Sequence, residues 1–191
     1  MAWADDDHEN DVVRVDEQWE LVVLSTDANS TAPQVATTFS PTSDVNGLYA
    51  VFELNHQSVP DFASGGLHLQ LWKGEFLHAT RPYVESHVMR SGAETVSWTQ
   101  SLKVDEERLT VWVEDGSSTT WGSFGGGDDL KFSTSTSLRN LNGYDSAVSV
   151  RHSGVTYAAN RVKSLTLKRL RRTMSDGSTV VDETPRVVYE Q

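Results

Sequence analysis

The sequence predicts an all-β fold, a two-sheet antiparallel β-sandwich, on two observations. Apolar residues alternate with polar ones at period two in several short stretches, and turn dipeptides separate those stretches. Residues 12–24 (VVRVDEQWELVVL) open the pattern, with Trp19 alternating with Leu21 and Val23. Residues 47–55 (GLYAVFELN) place Leu48, Ala50, Phe52 and Leu54 on one face, and residues 67–73 (LHLQLWK) do the same for Leu67, Leu69 and Leu71. Residues 94–104 align Val96, Trp98, Leu102 and Val104, a stripe that Gln100 interrupts. Residues 108–114 align Leu109, Val111 and Val113, and further strands are expected at 129–134, 146–151, 155–159, 162–170 and 179–189. Trp19 and Trp98 share faces with aliphatic residues and are expected in the core.

Asn46-Gly47, Asp115-Gly116, Asn142-Gly143 and Asp176-Gly177 read as tight turns, because Gly supplies positive φ at no steric cost. Residues 116–128 (GSSTTWGSFGGGD) read as a long glycine-rich loop, and 85–92 as one or two helical turns at most. No internal repeat and no linker is visible. At 191 residues the expected organisation is an acidic N-terminal tail, 1–10, followed by a single sandwich domain, 11–191. The tail (MAWADDDHEN) is too polar to offset the entropy of ordering it.

Composition excludes several classes of function. Hydrophobic residues are 37% and charged residues 23%, as in globular proteins. No apolar run approaches the roughly 20 residues of a membrane helix. There is no cysteine, so disulfides, thiolate nucleophiles and sulfur-ligated zinc are absent. The net charge is −11, with eight acids in residues 1–20 and six bases in residues 161–172 (RVKSLTLKRLRR). An acidic surface repels nucleic acid and anionic membrane. The basic run reads as an exposed strand whose outward Lys and Arg discourage edge pairing, so no nucleic-acid partner is expected. Ala2-Trp3-Ala4 followed by acids has the small-x-small form of a signal-peptidase site, which points to export.

Motifs for chemistry are sparse. Gly125-Gly126-Gly127 is followed by Asp128-Asp129 rather than Lys-Ser/Thr, and so does not read as a phosphate loop. No G-x-S-x-G and no H-E-x-x-H occurs, and the six histidines lack ligand spacing. No catalytic residue, resident metal or cofactor is expected. Calcium alone stays open, through the oxygen donors of Asp44-Val45-Asn46-Gly47 and Asp128-Asp129, although neither completes an EF-hand loop.

What lies opposite the aliphatic stripes is more informative, since successive strand residues point to opposite faces. His68, Gln70 and Trp72 alternate with the leucines of 67–71. Thr110, Trp112 and Glu114 alternate with Leu109, Val111 and Val113, and Tyr49, Glu53 and Asn55 lie opposite Phe52 and Leu54. An outer face bearing rings, amides and carboxylates suits a sugar, which stacks on an indole and hydrogen-bonds through its hydroxyls. The ligand-binding residues expected are Tyr49, His68, Gln70, Trp72, Trp112 and Glu114.

Residues 144–171 (YDSAVSVRHSGVTYAANRVKSLTLKRLR), through Gly154, Tyr157, Asn160, Val162, Leu165 and Leu167, resemble the closing strands of concanavalin-like, laminin-G-like sandwiches. The resemblance implies a jelly-roll arrangement in a superfamily that binds or cleaves glycans. It carries over no site residue, because that superfamily's metal-ligand and catalytic runs are absent here. The function expected is a non-catalytic exported module binding a glycan or other surface polymer. A structural or self-assembling homo-oligomer is the first alternative, and a glycoside hydrolase using Glu53 and Glu114 as acid and base is the second.

Overall fold

In the computed structural model, residues 10–25, 32–56, 66–83, 89 and 93–191 are described, His56 by its backbone alone. The expected helical turn at 85–92 and nearly all of the acidic tail lie outside them. The strands are β1 (Val12–Val23), β2 (Gln34–Phe39), β3 (Leu48–His56), β4 (Gly66–Lys73), β5 (Phe76–Tyr83), β6 (Glu94–Asp105), β7 (Arg108–Ser118), β8 (Gly122–Phe124), β9 (Lys131–Ser135), β10 (Gly154–Tyr157), β11 (Val162–Met174), β12 (Thr179–Asp182) and β13 (Arg186–Glu190). One α-helix, α1 (Ser146–His152), and two single 3-10 turns complete the described elements.

The strands form two antiparallel sheets. The larger runs β12-β11-β1-β6-β7-β8, with β13 also paired to β11 and β9 also paired to β7; the smaller runs β10-β2-β3-β4-β5. Their inner faces carry the predicted stripes. Val15, Trp19, Leu21 and Val23 of β1, Val96, Trp98, Leu102 and Val104 of β6, and Leu109, Val111 and Val113 of β7 are buried. Opposite them lie Val35 and Phe39 of β2, Ala50, Phe52 and Leu54 of β3, and Leu67, Leu69 and Leu71 of β4. Trp19 stacks on Trp98 at 6.3 Å between centroids, and Phe52 of the smaller sheet meets Trp98 edge-on at 5.8 Å. Offset-stacked and edge-to-face aromatic geometries of this kind add to simple area burial.

The differences from expectation have local causes. Residues 146–151 form a helix rather than a strand: Asp145 caps it by accepting from Ala147 N at 2.8 Å, and Arg151 and His152 sit in its last turn. Asp115-Gly116 does not end a strand. Asp115 adopts φ 54° inside β7, where the pairing with β6 shifts register, so the pair forms a bulge. Gly116 is needed there for another reason, because a Cβ would lie 2.4 Å from the Phe124 ring. The following glycine run folds back through β8. Gly125 has φ 80° and sits so close to β7 that a Cβ would be 2.6 Å from Val113 O.

The basic run does not form an exposed edge. β11 is flanked by β1 on one side and by β12 and β13 on the other, and three of its bases pair with acids. Arg171 pairs with Asp16 at 2.8 Å, Lys168 with Glu20 at 3.3 Å and Arg169 with Glu183 at 3.7 Å. Asp44 accepts from Asn46 N at 2.8 Å in a local turn, and Asp128 lies 3.7 Å from Lys131. Among the described residues no three His, Asp or Glu side chains converge, and no helix is long and apolar enough to cross a membrane.

Candidate functional site

The sandwich divides the six expected ligand-binding residues between its two outer faces. Tyr49, His68, Gln70 and Trp72 stand on the smaller sheet, where β3 and β4 pair Tyr49 with Trp72, Val51 with Gln70 and Glu53 with His68. Trp112 and Glu114 stand on the larger sheet, on the far side of the core. Packed sheets lie roughly 10 Å apart with their outer faces pointing away from each other. The two groups therefore do not form one surface, and Glu53 and Glu114 do not face a common cleft.

On the larger sheet, Trp112 and Glu114 belong to a charge-matched cluster. The Arg14 guanidinium lies over the Trp112 ring at 4.8 Å and donates to Glu114 Oε1 and Asp16 Oδ1, each at 2.7 Å. Ser101 Oγ donates to Asp16 at 2.7 Å and lies 3.2 Å from Glu114, while Arg171 holds the other Asp16 oxygen. One indole face is thus occupied by a cation, and both carboxylates already have cationic partners.

The smaller sheet carries a chain of directed hydrogen bonds. Tyr49 stacks on Trp72 at 6.4 Å with 11° between planes. Trp72 Nε1 donates to Gln70 Oε1 at 2.7 Å, which fixes the amide so that Gln70 Nε2 faces Glu53 Oε2 at 2.9 Å and His68 Nδ1 at 3.0 Å. His68 Nδ1 also lies 3.3 Å from Glu53 Oε2, and His68 Nε2 meets the hydroxyl of Thr80. Thr80 comes from the edge strand β5, where its register partner is Gln70.

Burial grades along this chain. His68 and Gln70 are each 8% exposed although they point away from the core, whereas Thr80 is exposed. The imidazole is thus held between a carboxylate and an accessible hydroxyl. With the proton on Nδ1 toward Glu53, Nε2 accepts from Thr80; with Nδ1 accepting from Gln70, Nε2 donates to Thr80. One network supports both tautomers, the property a proton-shuttling histidine requires.

Beside the cluster, Trp72 pairs in register with Leu77. A groove of about 550 Å³ continues past it, lined in part by Lys73, Glu75, Phe76 and Leu77. Phe76 is 79% exposed and Leu77 49%, so two large apolar side chains of β5 lie uncovered at this groove. Partial burial and then the Glu75 charge push the Tyr49 phenol up, which keeps it protonated beside Trp72.

Sequence reasoning did not find Thr80 or a role for His68 as a link. β5 (FLHATRPY) has no apolar alternation, so nothing marked Thr80 as lying across from Gln70. Sequence reasoning also missed Glu17, which sits inside the sandwich. Its carboxylate accepts from Trp19 Nε1 at 3.0 Å, Gln100 Nε2 at 2.5 Å, Tyr144 OH at 2.5 Å and Ser149 Oγ. Burial raises its pKa, and the four hydrogen bonds partly oppose the rise. Burial and then the adjacent Glu17 charge push the Tyr144 phenol well up. The one signal was Gln100, the polar exception in an apolar stripe, directly opposite Glu17 in the β1–β6 register.

No protein-family model matches the chain, and no curated protein matches it. Among solved structures it is similar to a Scytalido-glutamic peptidase with a peptide-based transition-state analog, at 14% identity and TM-score 0.40, covering 93% of this chain and 83% of that one. It is also similar to SCP-B, a member of the eqolisin family of peptidases, in complex with the tripeptide Ala-Ile-His. There the identity is 14% and the TM-score 0.33, covering 93% of this chain and 82% of that one. Both are named as peptidases and neither as a carbohydrate-binding protein. The division of the six residues between opposite faces, with Trp112 and Glu114 already engaged by Arg14, overturns the expectation of a non-catalytic module that binds a glycan or polymer through one aromatic and polar sheet face.

Proposed function

We propose that the chain is a hydrolase acting on acyl substrates, esters or amides, with Thr80 as nucleophile, His68 as general base and Glu53 as the group that orients His68. The observation that carries this reading is the His68 ring, which bridges a carboxylate and an exposed hydroxyl through its two nitrogens. A hydroxyl is a poor nucleophile until a neighbouring base takes its proton, and that base works best when a third group fixes its tautomer.

In the reacting tautomer, Nδ1–H points to Glu53 and Nε2 receives the Thr80 proton as Oγ1 attacks the acyl carbon. The imidazolium then gives that proton to the leaving oxygen or nitrogen, and a water repeats the sequence to free the enzyme. Gln70, held by Trp72, keeps the Glu53 carboxylate in place at 2.9 Å. Trp72 and its register partner Leu77, three residues from Thr80 on β5, offer contact area for an apolar acyl or leaving group.

The test is turnover of activated esters and a panel of fluorogenic peptides by the full chain, with a fluorophosphonate probe to trap the nucleophile. Wild type is expected to turn over at least one substrate and to carry the adduct on Thr80. His68→Ala and Thr80→Val are expected to lower kcat by about 10²–10⁴. Thermal unfolding of each variant separates lost chemistry from lost fold. No turnover and no adduct in wild type, or an adduct at another hydroxyl, sinks the reading.

A further inference from the structure

The buried network around Glu17 places a reactive set of groups between the two sheets. Thr37 of β2 belongs to the smaller sheet, Gln100 of β6 and Glu17 of β1 to the larger, and each is at most 1% exposed. Thr37 Oγ1 donates to Gln100 Oε1 at 2.9 Å, and its other contact, Phe52 O, is longer at 3.4 Å. On its far side the Gln100 amide nitrogen meets Glu17 Oε2 at 2.5 Å. A carboxamide is thus clamped between a hydroxyl and a carboxyl group in a closed, apolar interior.

We propose that Thr37 and Gln100 react to form a side-chain ester bond that ties the two sheets together. Thr37 Oγ1 attacks Gln100 Cδ, the Oγ1–Cδ bond forms, and the hydroxyl proton passes to Oε1, its hydrogen-bond partner. Once Cδ is tetrahedral the nitrogen lone pair leaves conjugation, so Nε2, until then a donor to Glu17, takes the proton of the Glu17 carboxyl group as the Cδ–Nε2 bond breaks and ammonia leaves. The proton on Oε1 returns to Glu17 through the departing ammonia, which restores the carboxyl group and the ester carbonyl. The balance is one hydroxyl and one primary amide going to one ester and one ammonia, with no oxidant or cofactor.

Three features of the site favour this chemistry. Holding the reactants in contact replaces a bimolecular encounter with an intramolecular step. Burial raises the pKa of Glu17, so the carboxyl group can carry the proton that the leaving amine needs. The surrounding core excludes the water that would hydrolyse the ester, and ammonia lost to bulk solvent does not return at its low concentration there. Tyr144 and Ser149 hold the second Glu17 oxygen and fix the carboxyl plane against Gln100.

Intact-mass spectrometry of the folded full chain tests the bond. The expected mass is about 17 Da below that of the sequence, the loss of one ammonia. Fragmentation of a digest is expected to show one linked species that holds Thr37 and Gln100, which hydroxylamine separates. Succinimide formation at Asn46-Gly47 or Asn142-Gly143 gives the same mass loss, so Thr37→Val and Glu17→Gln are measured alongside. Both variants are expected to return to the full sequence mass, and a circular dichroism spectrum like that of wild type shows that they fold. A full mass in folded wild type overturns the proposal, and so does a mass loss that survives Thr37→Val.

Discussion

Replacing Trp98 with alanine is expected to destabilise the protein by about 3–5 kcal/mol, the range for removing a fully buried aromatic side chain. Trp98 is 1% exposed, stacks on Trp19 within its own sheet, and receives Phe52 edge-on from the other. Its removal opens a cavity bounded by both sheets, and neither sheet can collapse into it without breaking strand pairing. Trp98→Phe is expected to cost well under half as much. The indole Nε1 of Trp98 is buried with no hydrogen-bond partner, and an unsatisfied buried donor costs about 1–3 kcal/mol. Phenylalanine keeps most of the ring contact and removes that donor. Urea unfolding of the two variants beside wild type gives both differences. Equal losses for Ala and Phe would mean that the ring contacts phenylalanine keeps contribute nothing to stability.

The second large effect is expected at Glu17. Glu17→Ala leaves Trp19 Nε1, Gln100 Nε2, Tyr144 OH and Ser149 Oγ without their acceptor, at about 1–3 kcal/mol for each donor that finds no other partner. Glu17→Gln is a different case, because its amide can donate to the Tyr144 and Ser149 hydroxyls and still accept from Trp19 and Gln100.

The pH dependence then separates charge from packing. Burial raises the folded-state pKa of Glu17 above the unfolded value of 4.5. Its protonated form therefore favours folding fully below that value, and this contribution is lost as pH rises through the folded pKa. Each unit of upward shift corresponds to about 1.4 kcal/mol. The stability of Glu17→Gln relative to wild type is expected to improve as pH rises from the unfolded pKa through the raised folded one, and to level off above it. The slope carries the test, since any covalent tie present only in wild type adds an offset that does not vary with pH. A relative stability of Glu17→Gln that falls with rising pH would show that the carboxylate, and not the acid, is the form the core prefers.

How much of this was legible in the sequence depended on whether a residue's partners repeat in the local pattern. The aliphatic stripes of β3, β4, β6 and β7 were readable, because one buried face imposes period two on each strand. β5 was not, because its exposed face leaves FLHATRPY without alternation, and the missed strand concealed Thr80. Residues 146–151 (SAVSVR) alternate by accident, and only Asp145 in its capping position marked the helix. Tyr49, His68, Gln70 and Trp72 were placed on one face by strand periodicity, and the structure links them. Trp112 and Glu114 were added to that face wrongly, because periodicity gives a side of a strand and not which sheet the strand joins. Glu17 was counted among the acids of residues 1–20; only the Gln100 exception across from it pointed inward.

The position of β1 within the larger sheet bears on how the chain is made. β1 lies between β6 and β11, and its Asp16 is joined to Arg171, a residue 155 positions later. On a ribosome adding about 5–20 residues per second, the first strand emerges many seconds before that neighbour exists. Until then the β11 side of β1 offers unpaired backbone groups, and Glu17 gains Gln100, Tyr144 and Ser149 only as each is made. Native assembly of the larger sheet is therefore late relative to the synthesis of β1, governed by long-range pairing and slow by the standards of small domains. The β11 side of β1 stays accessible until β11 is made, which sets a window for chaperone binding and a matching window for aggregation through that side.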